Sequence, residues 1–144
     1  ASERLFELGM FYFDIKQYEK AEETFKRIIE TYPESDLVEK ANFFAIKSKY
    51  NAISDVNLDI EKLEKIKDEI KIFIQQYPDS TYKQELINLK DTIENEKGKK
   101  YFEIAEFYKR TGKKDAALFY YKKVAENYPN TDYGQKAKEK ISNY

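Results

Sequence analysis

All three prolines of this chain stand in one context: Tyr32-Pro33-Glu34-Ser35, Tyr77-Pro78-Asp79-Ser80 and Tyr128-Pro129-Asn130-Thr131. They lie 45 and 51 residues apart, and self-similarity on this scale marks a repeat architecture. Each motif reads as a helix stop followed by a helix start. Pro drives the preceding Tyr out of the α region, which ends a helix. Ser35, Ser80 or Thr131 then offers a hydroxyl that accepts a backbone N–H and caps the next helix. Upstream of each Pro the apolar residues fall at i, i+3, i+4, i+7: Phe25, Ile28, Ile29, Tyr32; Ile70, Phe73, Ile74, Tyr77; Tyr121, Val124, Ala125, Tyr128. That spacing is the face of an amphipathic helix. Leu37 and Ala41, Tyr82 and Leu86, and Tyr133 and Ala137 open the apolar face of the helix that follows each motif.

The pattern predicts helices at about 3–14, 17–32, 36–53, 58–77, 80–111, 114–128 and 131–142. The fifth is long, and its expected weak point, a kink or break, is Asn95–Lys100 around Gly98. A polar turn at Ser54-Asp55-Val56-Asn57 separates the third helix from the fourth. The first and third units carry the tetratricopeptide offsets. In the first these are Leu5, Leu8, Gly9, Tyr12, Ala21, Phe25 and Pro33; in the third, Tyr101, Ile104, Ala105, Tyr108, Gly112, Ala117, Tyr121 and Pro129. The middle unit keeps its Pro-anchored helix and shifts its first one. The last helix has no partner, and its stripe (Tyr133, Ala137, Ile141) is expected to cap the last pair. The expected fold class is all-α: a tetratricopeptide-like α-solenoid of three helix pairs plus a C-terminal capping helix. The expected organisation is a single domain over 1–144, with units at about 3–33, 36–78 and 80–129 and a cap at 131–144.

Composition narrows the function. Charged residues are 37% of the chain, but aromatics are 16%, so the charge solvates a folded core and does not signal disorder. Cysteine and histidine are absent, which removes thiolate chemistry, disulfides, His-dependent triads and His or Cys metal sites. The four glycines are isolated, so no phosphate-cradling loop exists. Asp55-Val56-Asn57-Leu58-Asp59 begins like a calcium loop, but Ile60 and Ile66 stand where such a loop needs Gly and Glu. It reads as an inter-helix turn with an Asp or Asn cap. No cofactor or metal is expected. No apolar run approaches the ~18 residues of a membrane span, and Ala1-Ser2-Glu3-Arg4 does not read as a secretory leader. Residues 1–96 hold 14 Lys/Arg against 21 Asp/Glu, whereas residues 97–144 hold 12 against 6. The basic end alternates with Glu and sits at helix ends, which argues against nucleic acid and suits an acidic protein or anionic lipid headgroups.

The expected activity is protein binding, without catalysis. The first helix, Leu5 to Phe13, is apolar nearly all round. Phe6, Met10 and Phe13 fall at offsets that line the inner groove of tetratricopeptide arrays, or else are covered core. The corresponding groove candidates are Asn42, Lys49 and Tyr50 (beside Ile46) in the second unit, and Phe102, Glu106, Lys109 and Arg110 (beside Lys99) in the third. Such a groove would take an extended or helical peptide through apolar anchors.

The stretch Ile72 to Tyr133 resembles the outer-membrane assembly lipoproteins of the BamD (ComL) type. The residues that carry this are Tyr77-Pro78-Asp79-Ser80-Thr81-Tyr82, Leu89-Lys90-Asp91, Ala105-Glu106-Phe107-Tyr108 with Gly112, Ala116-Ala117 and Tyr128-Pro129-Asn130-Thr131. The resemblance implies a protein held by a lipid anchor, outside these residues, at the periplasmic face of the outer membrane. It implies a barrel-assembly subunit and unfolded barrel substrates as partners. Where the family carries Arg, three residues after the second Ala of its Ala-Ala pair, this chain has Tyr120. The alternatives are another tetratricopeptide module, such as a periplasmic cell-envelope coordinator or a generic adaptor, and a carboxylate-based hydrolase. The last needs two close, buried carboxylates with shifted pKa values.

Overall fold

A computed structural model describes residues 1–54 and 56–144. Asp55, and with it the start of the calcium-loop mimic, lies outside the described residues. Every regular element among the described residues is an α-helix: α1 (Ser2–Asp14), α2 (Tyr18–Thr31), α3 (Val38–Asn51), α4 (Ile60–Gln76), α5 (Lys83–Arg110), α6 (Lys114–Asn127) and α7 (Asp132–Ser142). The chain forms two compact units, Ala1–Ile87 and Asn88–Tyr144.

The Tyr-Pro motifs fold alike in backbone terms. Tyr32, Tyr77 and Tyr128 end α2, α4 and α6 at φ −126, −127 and −130° with ψ 60, 66 and 50°, outside the α region that the following Pro forbids. Each Tyr N–H still donates to the carbonyl four residues back (Ile28, Phe73, Val124), which closes the last helical turn. Each Tyr carbonyl then accepts the N–H three residues on, at 2.9 Å from Ser35, 3.1 Å from Ser80 and 3.2 Å from Thr131.

The expected caps differ among the three. Thr131 is the N-cap of α7, and its hydroxyl oxygen accepts the Gly134 N–H at 3.0 Å. Ser35 and Ser80 do not cap their helices. Their Oγ atoms accept the N–H two residues on, Leu37 and Tyr82, both at 3.1 Å, in a turn before α3 and α5 begin. The tighter third turn depends on Gly134. A Cβ there would stand 2.0 Å from the Tyr128 carbonyl oxygen.

In the first unit α1 packs on α2, α2 on α3, and α3 on α4. Ala21, Phe25 and Ile28 of α2 meet Ala41 and Ala45 of α3 in one buried cluster. Gly9 lets α1 come close, since a Cβ there would lie 2.6 Å from the Phe25 ring. The buried face of α4 is Leu63, Ile66, Ile70 and Phe73, at helical spacing. Each such side chain contributes roughly 1.5–3 kcal/mol by leaving water, so packing of this face, more than helix propensity, holds α4 in place. At its start, Asp59 caps α4 by accepting the Lys62 N–H.

In the second unit Phe102 and Ala105 of α5, Ala117, Tyr121 and Val124 of α6, and Ala137 of α7 form the core. Tyr133 and Ile141 of α7 pack against that cluster, as expected of a capping helix. The expected break in α5 does not occur, and the helix runs through Asn95–Lys100. Gly98 serves packing there. A Cβ on it would meet Thr131 Oγ1 at 3.2 Å and Tyr128 Cβ at 3.4 Å, so the small residue admits the α6–α7 turn against α5. The α5–α6 turn uses Gly112 at φ 77°, in the left-handed region. In the α1–α2 turn the same place is held by Lys16 at φ 63°.

Candidate functional site

The amphipathic pattern of α1 and α3 places a row of aromatic rings on one side of the first unit. Phe44 is at its centre. Its ring lies 6.0 Å from Phe6, 5.6 Å from Phe13 and 5.8 Å from Phe25. Phe6, Phe13 and Phe44 are half-buried, so each ring both braces the core and keeps an accessible edge. Two lysines of α3 lie over the row. The Lys40 ammonium stands 4.9 Å from the Phe6 ring, and Lys47 stands 5.9 Å from Phe13 and 5.4 Å from Phe43. Cations over ring faces are held by the ring quadrupole. Lys47 is also paired with Glu85 at 2.9 Å, and Phe43 stacks on Tyr82 at 4.1 Å, which ties α3 to the turn and helix after the second Tyr-Pro motif.

A second feature of this unit is a cleft of ≈ 260 Å³ between α2 and α4, floored by Ala45 and Ile46 of α3. Asn42 and Lys49 line it. Lys49 pairs with Glu69 of α4 and sits 3.7 Å from Glu22 of α2, and Glu22 also holds Lys26 at 3.0 Å. The hydrogen bond to Glu22 is the main reason the Lys26 pKa is raised.

The ten candidates from the sequence therefore separate. Phe6, Met10 and Phe13 pack against the α2–α3 cluster with partial exposure. Asn42 and Lys49 share the cleft, while Tyr50 is half-buried at the end of α3. In the second unit Phe102 is 9% exposed inside the core, so it is a packing residue that offers no groove surface. Its neighbours explain this: Tyr121 and Tyr133 each approach its ring to 5.6 Å. Glu106 is half-buried and paired with Lys140 at 3.5 Å, whereas Lys109 and Arg110 are exposed at the end of α5.

Buried polar groups in the second unit have shifted protonation. Burial, then the Glu106 carboxylate, push the Tyr121 hydroxyl well above its ordinary pKa. Burial pushes Tyr128 up to about 12 and pulls Lys97 down. No Asp or Glu is buried among the described residues, and no group of them could hold a metal ion.

Sequence reasoning missed Lys40, Phe44 and Lys47. The signal was present as two i, i+4 pairs, Lys40 with Phe44 and Phe43 with Lys47, which place cation and ring on one helical face. It also did not single out the exposed apolar residues Phe11 of α1, Ile15 just after that helix, and Phe107 and Phe119 around the α5–α6 turn, and it read Leu8, which is exposed, as a packing position.

The family model described as YfiO, outer membrane lipoprotein, matches residues 3–143. The chain belongs to this family. No curated protein matches it. Its helices and Tyr-Pro punctuation are thus those of a BamD-like, tetratricopeptide-type YfiO lipoprotein. No helix among the described residues is long and apolar enough to cross a membrane. At the place where the resemblance implies Arg, this YfiO chain puts Tyr120 into a ring stack, 5.7 Å from Tyr108 and 6.5 Å from Tyr101.

Proposed function

We propose that this YfiO-family protein is a non-catalytic scaffold of β-barrel assembly at the periplasmic face of the outer membrane. In this reading all seven helices act as one binding domain. It docks a barrel-assembly subunit and grips extended segments of unfolded barrel substrates. The observation that carries the reading is the aromatic row of α1 and α3 with two lysines above it. Strands of membrane barrels alternate apolar and polar residues and carry aromatic girdles. An extended segment of that kind would lay its aromatic side chains on the accessible edges of Phe6, Phe13 and Phe44. Lys40 and Lys47 would meet its carbonyls or carboxylates.

Two measurements test this. Crosslinking in the native cell envelope followed by affinity purification should recover a large β-barrel protein; recovery of cytosolic chaperones or polymerases alone would refute the assignment. A photo-reactive side chain at Lys40 or Lys47 should capture barrel-derived peptides, and one at the exposed Glu126 of α6 should not. The second reading, a tetratricopeptide adaptor with a different docking partner, is favoured by Tyr120, an uncharged ring stacked on Tyr108 and Tyr101 where the resemblance implies Arg.

A further inference from the structure

The α5–α6 turn combines two features found together nowhere else among the described residues. Lys109 and Arg110 close α5, and Lys113 and Lys114 open α6, all four exposed. None of them is in an ion pair among the described residues; the nearest acidic residues in the chain are Asp115, next to Lys114, and Glu106, three residues before Lys109 and itself paired with Lys140. Beside them stand two large exposed rings, Phe107 at 52% and Phe119 at 62%. These rings share one neighbourhood. Phe107 lies 5.6 Å from Tyr108, Tyr108 stacks on Tyr120 at 5.7 Å, and Phe119 lies 5.2 Å from Tyr120. The four rings make a continuous strip across α5 and α6, within two helical turns of the basic cluster.

Exposed phenyl rings gain nothing from water, and contiguous apolar surface rimmed by charge marks a place where something docks. A local excess of cations selects an anionic occupant, and exposed Phe beside Lys and Arg is the composition of surfaces that lie in a bilayer interface. An acidic protein would meet the charges but leave the phenyl rings to find apolar pockets of their own. A lipid surface meets both at once, with phosphates for the cations and the upper acyl region for the rings. We infer that the α5–α6 turn is a peripheral membrane-docking site for anionic phospholipid headgroups, with Phe107 and Phe119 entering the interface. This uses the membership in a membrane lipoprotein family and does not depend on the barrel-assembly role.

The equivalent turn between α1 and α2 is a built-in control. Phe11 is exposed there as Phe107 is here, but Phe13-Asp14 and Gln17-Tyr18 stand in place of Lys109-Arg110 and Lys113-Lys114.

The chain has no Trp, so Phe119→Trp provides a single reporter on the exposed ring position, and Phe11→Trp the control. With phosphatidylethanolamine–phosphatidylglycerol vesicles, Phe119→Trp emission should shift to shorter wavelength and the protein should co-sediment. Phe11→Trp emission should not shift. With phosphatidylcholine vesicles neither should change. Each cation near an anionic surface raises partitioning about fivefold, so changing Lys109, Arg110, Lys113 and Lys114 to Gln should lower it on the order of a few hundredfold, with unaltered helicity. Added salt should weaken the wild type towards that variant. Three results would overturn the inference: no binding to the anionic vesicles, vesicle binding that survives the four-Gln change, or binding to polyglutamate without binding to vesicles.

Discussion

Gly134→Ala separates helix propensity from tertiary approach, because the two predict opposite signs. Position 134 lies in the first turn of α7, where Ala should be more stable than Gly by about 1 kcal/mol on propensity alone. The structure predicts a loss. The added Cβ would stand 2.0 Å from the Tyr128 carbonyl oxygen and 3.0 Å from Pro129 Cα, both backbone atoms that no rotamer change can move. The other two turns show how the strain can relax. Val38 and Lys83 occupy the same place, six residues past the Tyr, and there α3 and α5 begin at that residue. Adopting that looser form would abolish the Thr131 hydroxyl bond to the 134 N–H and unwind the first residues of α7. Loss of an N-cap costs ~1 kcal/mol, and each backbone hydrogen bond given up costs ~1 kcal/mol. If the turn cannot relax, overpacking of ~1–3 kcal/mol replaces these losses. Set against the propensity gain, the net destabilisation is about 1–2 kcal/mol. Urea unfolding should show a lower midpoint with an unchanged slope. Thr131→Ala alone should cost ~1 kcal/mol, but almost nothing in the Gly134→Ala background, because the cap is already broken. Stabilisation by Gly134→Ala, or full additivity of the two changes, would show that the close approach at Tyr128 does not govern this turn.

Lys16→Gly should stabilise the chain by about 0.5 kcal/mol, because relief of a non-glycine residue in the left-handed region outweighs the extra freedom of the unfolded chain; a lower urea midpoint would contradict this. Phe44→Ala should cost about 3 kcal/mol, since its ring contacts Phe6, Phe13, Phe25 and Phe43; a cost below ~1 kcal/mol, the scale of a surface change, would mean the row does not brace α1 against α3. Alkaline stability follows from Tyr128. Its folded pKa is raised to about 12 from 10.0, so above pH 10 the unfolded chain releases a proton that the folded chain keeps, and stability falls as pH rises from 10 towards 12. A tyrosinate absorbance titration should show a late-ionising fraction that shrinks in Tyr128→Phe; a single ordinary step for all 13 tyrosines would refute the burial argument.

Much of the fold was legible because its signals are local. A Pro acts on the residue before it, and an apolar stripe at helical spacing needs only its own helix to be recognised. The capping helix could be read in the same way, from Tyr133, Ala137 and Ile141. The errors share a different cause. Gly98 looked like a helix breaker in the sequence, yet it accommodates the α6–α7 turn, which comes from residues thirty positions away. Phe102 fell at a groove offset but is enclosed by Tyr121 and Tyr133 from two other helices. Asn42 and Lys49 line one cleft because they share a face of α3. Which residues of different helices meet is written in no single helix's pattern.

The sequence by itself determined that this chain makes helical hairpins and where each one stops, because backbone sterics and 3.6-residue periodicity act within a few residues. The tertiary structure alone decided which of many aromatic rings became core and which stayed in water. Phe25 is wholly enclosed while Phe11, Phe107 and Phe119 are exposed, although all four occupy strongly helical segments. A helix that is apolar on several sides has no inside of its own; the neighbouring helix supplies one by covering a single face.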